Sequence, residues 1–226
     1  LVVADYSQIE LRILAHLSED DKMIQAFSDG RDIHRATAAE IFDVSLPDVD
    51  PSMRRKAKEI NFGLMYGMKA FGLSQRLGIS PGEAEDYIQV YFSKYPRVRR
   101  FLDSIIEKVQ HEGSVQTLFG RKRFFRHYAQ AGKRDQAGMQ RMIINAPMQG
   151  SAADIIKVAM LRLQDKLPET GGKQLLQVHD ELIVECPDEE IKAVSELMKT
   201  TMEQVIQLRV PLIVNVGIGT TWLDAK

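Results

Sequence analysis

Two β-prone runs stand at opposite ends of the sequence, LVVADY at residues 1–6 and QLLQVHDELIVEC at 174–186, and almost everything between them carries apolar residues at helical spacing. A lone strand leaves its backbone donors and acceptors unpaired, so the first run needs partners, and because the sequence opens in mid-strand some of them are expected upstream of it. PLIVNVGIG, at 211–219, supplies a third. This order predicts an α+β fold, a small antiparallel sheet interrupted by a large, mostly helical insertion.

Within the insertion, Ile9, Ile13, Leu14 and Leu17 mark a first helix, and Ser18 with Asp21 is expected to cap the next one, DKMIQAF. DIHRATAAEIF continues the pattern, and Pro51 opens PSMRRKAKEINFGLMYG. Two amphipathic helices are expected on either side of Pro96, then a hairpin in SVQTLFGRKRFFR about a Gly-Arg turn. A long helical region over 133–163 is expected to be interrupted at Pro147 and Gly150, and a last helix to run over 188–208.

With 44% hydrophobic residues the chain can build a proper core. No apolar run approaches the roughly 20 residues that span a bilayer, and no charged-then-apolar leader opens the sequence, so the expectation is a cytoplasmic protein without a membrane partner. The single cysteine, Cys186, fits a reducing compartment and reads as a small buried residue on a strand. Net charge is −1, so the sum does not advertise nucleic acid, but basic residues cluster at 54–58, 97–100 and 121–126. Each cluster is able to meet phosphates or to be an ordinary solvated face.

Two carboxylates stand out by position. Asp5 closes the first strand and Asp180 lies in the polar break of the strand pair, with Glu181 beside it. If those strands are neighbours the carboxylates meet at one sheet edge, where a divalent cation would relieve their repulsion, and hard oxygen donors suit magnesium. The plain alternatives are a solvated turn for Asp180 and Glu181 and a helix N-cap for Asp5. Arg54, Lys58, Phe62 and Tyr66 follow at intervals of four and form one gently spiralling helix face about 18 Å long. Two cations followed by two aromatics are suited to a triphosphate and a stacked base or sugar. Gly63 and Gly67 are costly inside a helix and point to a close approach to the backbone there.

DYSQIELR (5–12), RRKAKEINFGLMYG (54–67) and QVHDE (177–181) together resemble the three polymerase motifs of the family A DNA polymerases, and NAPMQGSAADIIK (145–157) matches a further stretch of that family. The resemblance spans the chain in order. It implies palm segments at 1–30 and 131–226 and a mainly fingers subdomain at 31–130, with thumb and exonuclease domains lying elsewhere. The chain starts in mid-strand, which fits an upstream portion of the same polymerase as a partner, whether as one polypeptide or as the other part of a split enzyme.

The implied activity is template-directed DNA synthesis on primer-template DNA from deoxynucleoside triphosphates, in replication and repair. By resemblance, Asp5 and Asp180 would bind two magnesium ions with the Tyr6 carbonyl as a further ligand, and Glu181 would support them. Arg54 and Lys58 would grip the phosphates, with Gln8 and His34 as lesser contacts and Lys58 as a general acid to pyrophosphate. Phe62 would pack on the nucleotide, Tyr66 would sit by the templating position, and Glu10 would be the gate against a ribose 2′-hydroxyl. Arg141, Asn145, Gln149 and His179 would touch the primer-template near its terminus. Phe62 lacks the hydroxyl of a tyrosine, which implies poor use of dideoxynucleotides. Two readings compete: a phage-type RNA polymerase, disfavoured by Glu10, and a noncatalytic DNA-binding module, disfavoured by the intact carboxylates and cations.

Overall fold

The computed structural model describes residues 1–225 and divides into two compact units, one comprising 1–10 with 151–226 and the other 11–150. The first unit is built on a four-stranded antiparallel sheet in the order β4 (Lys173–Val178), β5 (Glu181–Glu185), β1 (Val2–Tyr6), β6 (Val214–Ile218). The strand from the start of the chain therefore lies in the interior of the sheet, between two strands from its end. Val2 pairs with Val184 on one side and Ile218 on the other.

Both faces of β1 are covered, which is why its sequence is a continuous apolar run rather than an alternating one. Val2, Ala4 and Tyr6 share the face against α9 (Ile191–Glu203), where the Tyr6 hydroxyl donates to the Met202 carbonyl oxygen at 2.7 Å. Val3 and Ile183, on the other face, pack against Ala225 of the segment that follows β6. That segment lies so close to the sheet that a Cβ on Gly217 would stand 1.8 Å from the Ala225 carbonyl oxygen. Gly217 has no side chain because the chain itself occupies the space.

The second unit carries most of α1 (Ile9–Ser18), then α2 (Asp21–Ser28), α3 (Ile33–Phe42), α4 (Pro51–Met65), α5 (Ala70–Leu77), α6 (Pro81–Lys94) and α7 (Pro96–Glu112). A two-stranded hairpin, β2 (Ser114–Gln116) with β3 (Lys122–Phe124), follows, and the unit ends within α8 (Lys133–Lys166). The small antiparallel sheet, the helical insertion, the break at Pro96 and the hairpin agree with the sequence reading.

Four details differ. The cap of α2 is Asp20, whose carboxylate accepts from Met23 N at 3.3 Å and from Arg97 N at 3.1 Å. α1 runs on through Ser18 and Glu19 turns the chain at φ +54°, so the cap position falls two residues beyond Ser18. α8 passes unbroken through Pro147, whose missing donor normally costs a helix about 3 kcal/mol. Buried Ile143, Ile144, Ala146 and Met148 around it show packing overriding local propensity. Helix α5, which the sequence reading passed over, carries Ala70, Leu73 and Leu77 at helical spacing, and α9 ends at Glu203 rather than near 208. Among the described residues no helix is long and apolar enough to cross a membrane.

Candidate active site

In the first unit, the register of the sheet brings the carboxylates together. Asp5 stands directly opposite Glu181 on β5 and Asn215 on β6, and directly opposed residues of antiparallel strands share a face. Asp180 occupies the two-residue turn between β4 and β5, and its carbonyl oxygen accepts from Tyr6 N at 3.2 Å. That bond ties the turn to the end of the first strand. Asp5 and Asp180 are half-buried, while Glu181 is buried and accepts a hydrogen bond from the Trp222 indole N–H.

The polar turn is also where the backbone is strained. His179 holds φ +54° and Gln8, just beyond β1, φ +55°, in the left-handed region that non-glycine residues avoid. His179 is exposed, and its carbonyl accepts from the Gln177 side-chain amide at 2.6 Å. Gln8 and Glu10 are half-buried.

No group of three or more histidine, cysteine, aspartate or glutamate side chains suited to a metal occurs among the described residues. The two aspartates offer hard oxygen donors of the kind that suit a divalent cation completing its shell with water and substrate phosphates. Glu181 is engaged by Trp222 and stands opposite Asp5 across the strand pair.

In the second unit, α4 starts sharply because Asp50 accepts from Ser52 N and Met53 N at 2.7 and 2.8 Å and Pro51 holds the first position. Its periodic face is as the spacing requires. Phe62 and Tyr66 stack with centroids 6.3 Å apart, and the His34 ring lies 5.7 Å from Phe62. Lys58 is exposed and, among the described residues, makes no ion pair. Arg54 Nε pairs with Asp32 Oδ2 at 2.6 Å, and Asp32 Oδ1 caps α3 through the amides of His34 and Arg35. Burial pushes the Asp32 carboxyl up, but Arg54 and the two backbone amides outweigh it and the net shift is downward.

His34 is buried, with Nδ1 3.1 Å from Asn61 Nδ2. Burial first, and then the charges of Arg54 and Lys58, outweigh the pull of Asp32 and bring the imidazole down to about 4, so it is neutral at ordinary pH.

The close approach read from Gly63 and Gly67 is made by the protein itself. A Cβ on Gly63 would stand 3.2 Å from the Met68 sulfur; Gly67 lies past the helix end at φ +71°, 3.2 Å from Ile144 Cδ1 by the same measure. Tyr66, Arg141, Asn145 and Gln149 line one cavity of about 420 Å³ together with Met68 and Met142. Asn145 Oδ1 is sealed from solvent and, among the described residues, without a hydrogen-bond partner, an isolation that costs about 1–3 kcal/mol.

Every candidate residue thus falls into one of three groups: the sheet edge with Asp5, Tyr6, Gln8, Glu10, His179, Asp180 and Glu181; the α4 face with His34, Arg54, Lys58 and Phe62; and the cavity, to which Tyr66 extends that face, with Arg141, Asn145 and Gln149. Sequence reasoning missed Asp32, Asn61 and Trp222. Asp32 had a readable signal as a capping residue before an apolar helix, whereas Asn61 and Trp222 act across elements and had none.

The sequence profile of DNA polymerase family A matches residues 1–224. The thermostable DNA polymerase I of Thermus aquaticus is 50% identical over 226 residues, covering all of this chain and 27% of that protein. DNA polymerase I of Caldicellulosiruptor bescii is 46% identical over 228 residues, with the same 27% share. The chain thus spans about a quarter of the length of these curated relatives. Among solved structures, the POL domain of Pol1 from M. smegmatis, in complex with DNA primer-template and dNTP, superposes with a TM-score of 0.95 at 40% identity, covering 99% of this chain and 40% of that one.

Proposed function

Because the chain belongs to DNA polymerase family A, we propose that it carries the nucleotidyl-transfer centre of a DNA-directed DNA polymerase that extends a primer 3′-hydroxyl with deoxynucleotides in replication and repair. The observation that carries this reading is the sheet register that sets Asp5 opposite Glu181 while the Asp180 turn is bonded to the end of β1.

The sheet unit takes the part of the palm and the helical unit that of the fingers. Asp5 and Asp180 would hold two magnesium ions, with the Tyr6 carbonyl as a further ligand. Bound there, the ions would supply Lewis-acid chemistry, lowering the pKa of the primer hydroxyl and neutralising charge on the triphosphate and the leaving pyrophosphate. Glu181 adds negative charge beside Asp5, and Trp222 holds it in place.

Arg54 and Lys58 bind the triphosphate. Exposed Lys58, which makes no ion pair among the described residues, donates a proton to the departing pyrophosphate. Phe62 packs on the sugar and base, Gln8 and His34 are polar contacts to the nucleotide, and Glu10 excludes a ribose 2′-hydroxyl. The cavity at Tyr66 receives the templating base, where Asn145 and Gln149 read minor-groove acceptors that all base pairs share and Arg141 meets the backbone. His179, exposed on its strained turn, lies toward the primer end.

Primer extension by the full-length protein tests this reading. Asp180→Ala is expected to lower the rate at least about a thousandfold, or about 4 kcal/mol of transition-state stabilisation, with folding intact. A wild-type protein that binds primer-template and extends nothing would instead make this a binding module.

A further inference from the structure

Four polar side chains of the helical unit are sealed in one chain of hydrogen bonds that nothing in the reaction described above requires. Thr37 and Asn61 are fully buried, His34 is 2% exposed and Tyr95 3%. The Thr37 hydroxyl lies 3.2 Å from the Tyr95 hydroxyl and 3.2 Å from Asn61 Oδ1, and Asn61 Nδ2 lies 3.1 Å from both Thr37 Oγ1 and His34 Nδ1.

With the Asn61 amide oriented as in the structure, one assignment of protons uses every group. Burial pushes the Tyr95 phenol up to about 12, so it stays protonated and donates to Thr37. The Thr37 hydroxyl has one proton, and Asn61 Oδ1 can only accept it. The Asn61 amide N–H then donates to His34 Nδ1. A neutral imidazole that accepts at Nδ1 carries its proton on Nε2.

That second nitrogen is the end of the relay. Among the described residues Nε2 has no hydrogen-bond partner, and it is not one of the sealed, unpartnered polar atoms of the chain. The ring stands against Phe62 and within the field of Arg54 and Lys58, the face read as the triphosphate site. A relay built only for packing has no reason to finish on an unused donor beside two cations, which repel a proton donor and attract the acceptor that donor needs.

We infer that Asn61 is a positioning residue that fixes His34 as a neutral imidazole protonated at Nε2, the one form in which the ring can donate from that nitrogen to the nucleotide it is proposed above to contact. The inference rests on the polymerase reading and extends it to why the α4 helix carries a buried asparagine: a neutral donor adds direction to the point charges of Arg54 and Lys58. Thr37 and Tyr95 act through Asn61 by holding its amide the right way round.

The test uses the full-length protein with ¹⁵N-labelled histidine, with and without a deoxynucleoside triphosphate in calcium, which supports binding but little turnover. His34 is expected to show a protonated Nε2 and an imine-type Nδ1, and the nucleotide to move the Nε2 resonance. A proton on Nδ1, or an Nε2 signal unmoved by saturating nucleotide, overturns the inference. Asn61→Asp offers His34 an acceptor in place of the donor and is expected to move the ring proton to Nδ1 and to raise KM for the nucleotide about tenfold, with a smaller change in kcat. Thr37→Val, which keeps the shape and removes the hydroxyl, is expected to give an intermediate effect. In a His34→Ala background both changes should lose their effect on KM; full effects there also overturn the inference. The labelled wild type reports the tautomer even if a variant fails to fold. A wild type that extends no primer would sink the polymerase reading while leaving that tautomer measurable.

Discussion

At the scale of single residues, the helical face on α4 was legible because four side chains at intervals of four need no knowledge of the rest of the molecule. What holds those side chains was not legible, since Asp32 reaches Arg54 from another helix across 22 positions. That pair sets up a competition. Asp32 shares the guanidinium that the triphosphate is proposed to use, so Asp32→Asn, which keeps a capping oxygen for α3, should lower KM for nucleotide severalfold. Its cost in stability should stay within about 1 kcal/mol because the pair is partly exposed. Steady-state kinetics and chemical denaturation read the two effects, and an unchanged KM would refute the competition. His34 gives a pH signature. Its folded value of about 4 lies below the ordinary 6.5, so between those values the unfolded chain binds a proton that the folded one does not. Stability should therefore be full above about pH 6.5 and fall as pH drops toward 4, at no more than about 1.4 kcal/mol per unit. In His34→Gln that window should flatten in thermal melts.

At the scale of elements, helix positions and the hairpin were readable from period and punctuation, while the behaviour of Pro147 and Gly150 was not. Both looked like breaks because local rules weigh only the helix that contains them. Gly150 has another explanation in the structure. A Cβ there would stand 2.7 Å from Thr117 Cγ2, and its carbonyl accepts from Arg121 at 3.1 Å. The glycine lets the hairpin loop lie against the helix. Gly150→Ala should cost about 1–3 kcal/mol by overpacking, and Thr117→Ser, which removes the offending methyl, should recover much of it in a double-mutant cycle. Gly217 is a harder constraint, since the obstruction there is backbone. Gly217→Ala should displace the segment after β6, detach Trp222 from Glu181 and lower tryptophan burial, which indole fluorescence would report. An unshifted emission spectrum would argue that the segment does not depend on that contact.

At the scale of the whole molecule, the sheet closes on strands drawn from both ends of the sequence: β1 finds Glu181 to Val184 on one side and Val214 to Ile218 on the other. The order of one strand, many helices and then further strands made a sheet with a helical insertion legible, but not which strands are neighbours, which depends on which edge each buries. Bringing such distant segments together costs loop entropy before any contact repays it, so local helices should form first. In pulse-labelled hydrogen exchange during refolding, amides of α3, α4 and α6 should gain protection before those of β1, and β1 and β5 should gain it together. Simultaneous protection of all of them would mean that the sheet nucleates the fold. The same topology divides the carboxylates proposed to be catalytic between two stretches of polypeptide. A cut in the exposed turn around Ala129 to Gly132 would leave Asp5 on one piece and Asp180 on the other. Neither piece would hold a complete metal-binding pair, so activity would become a logical conjunction of two separately expressed inputs, silent until both are present and joined.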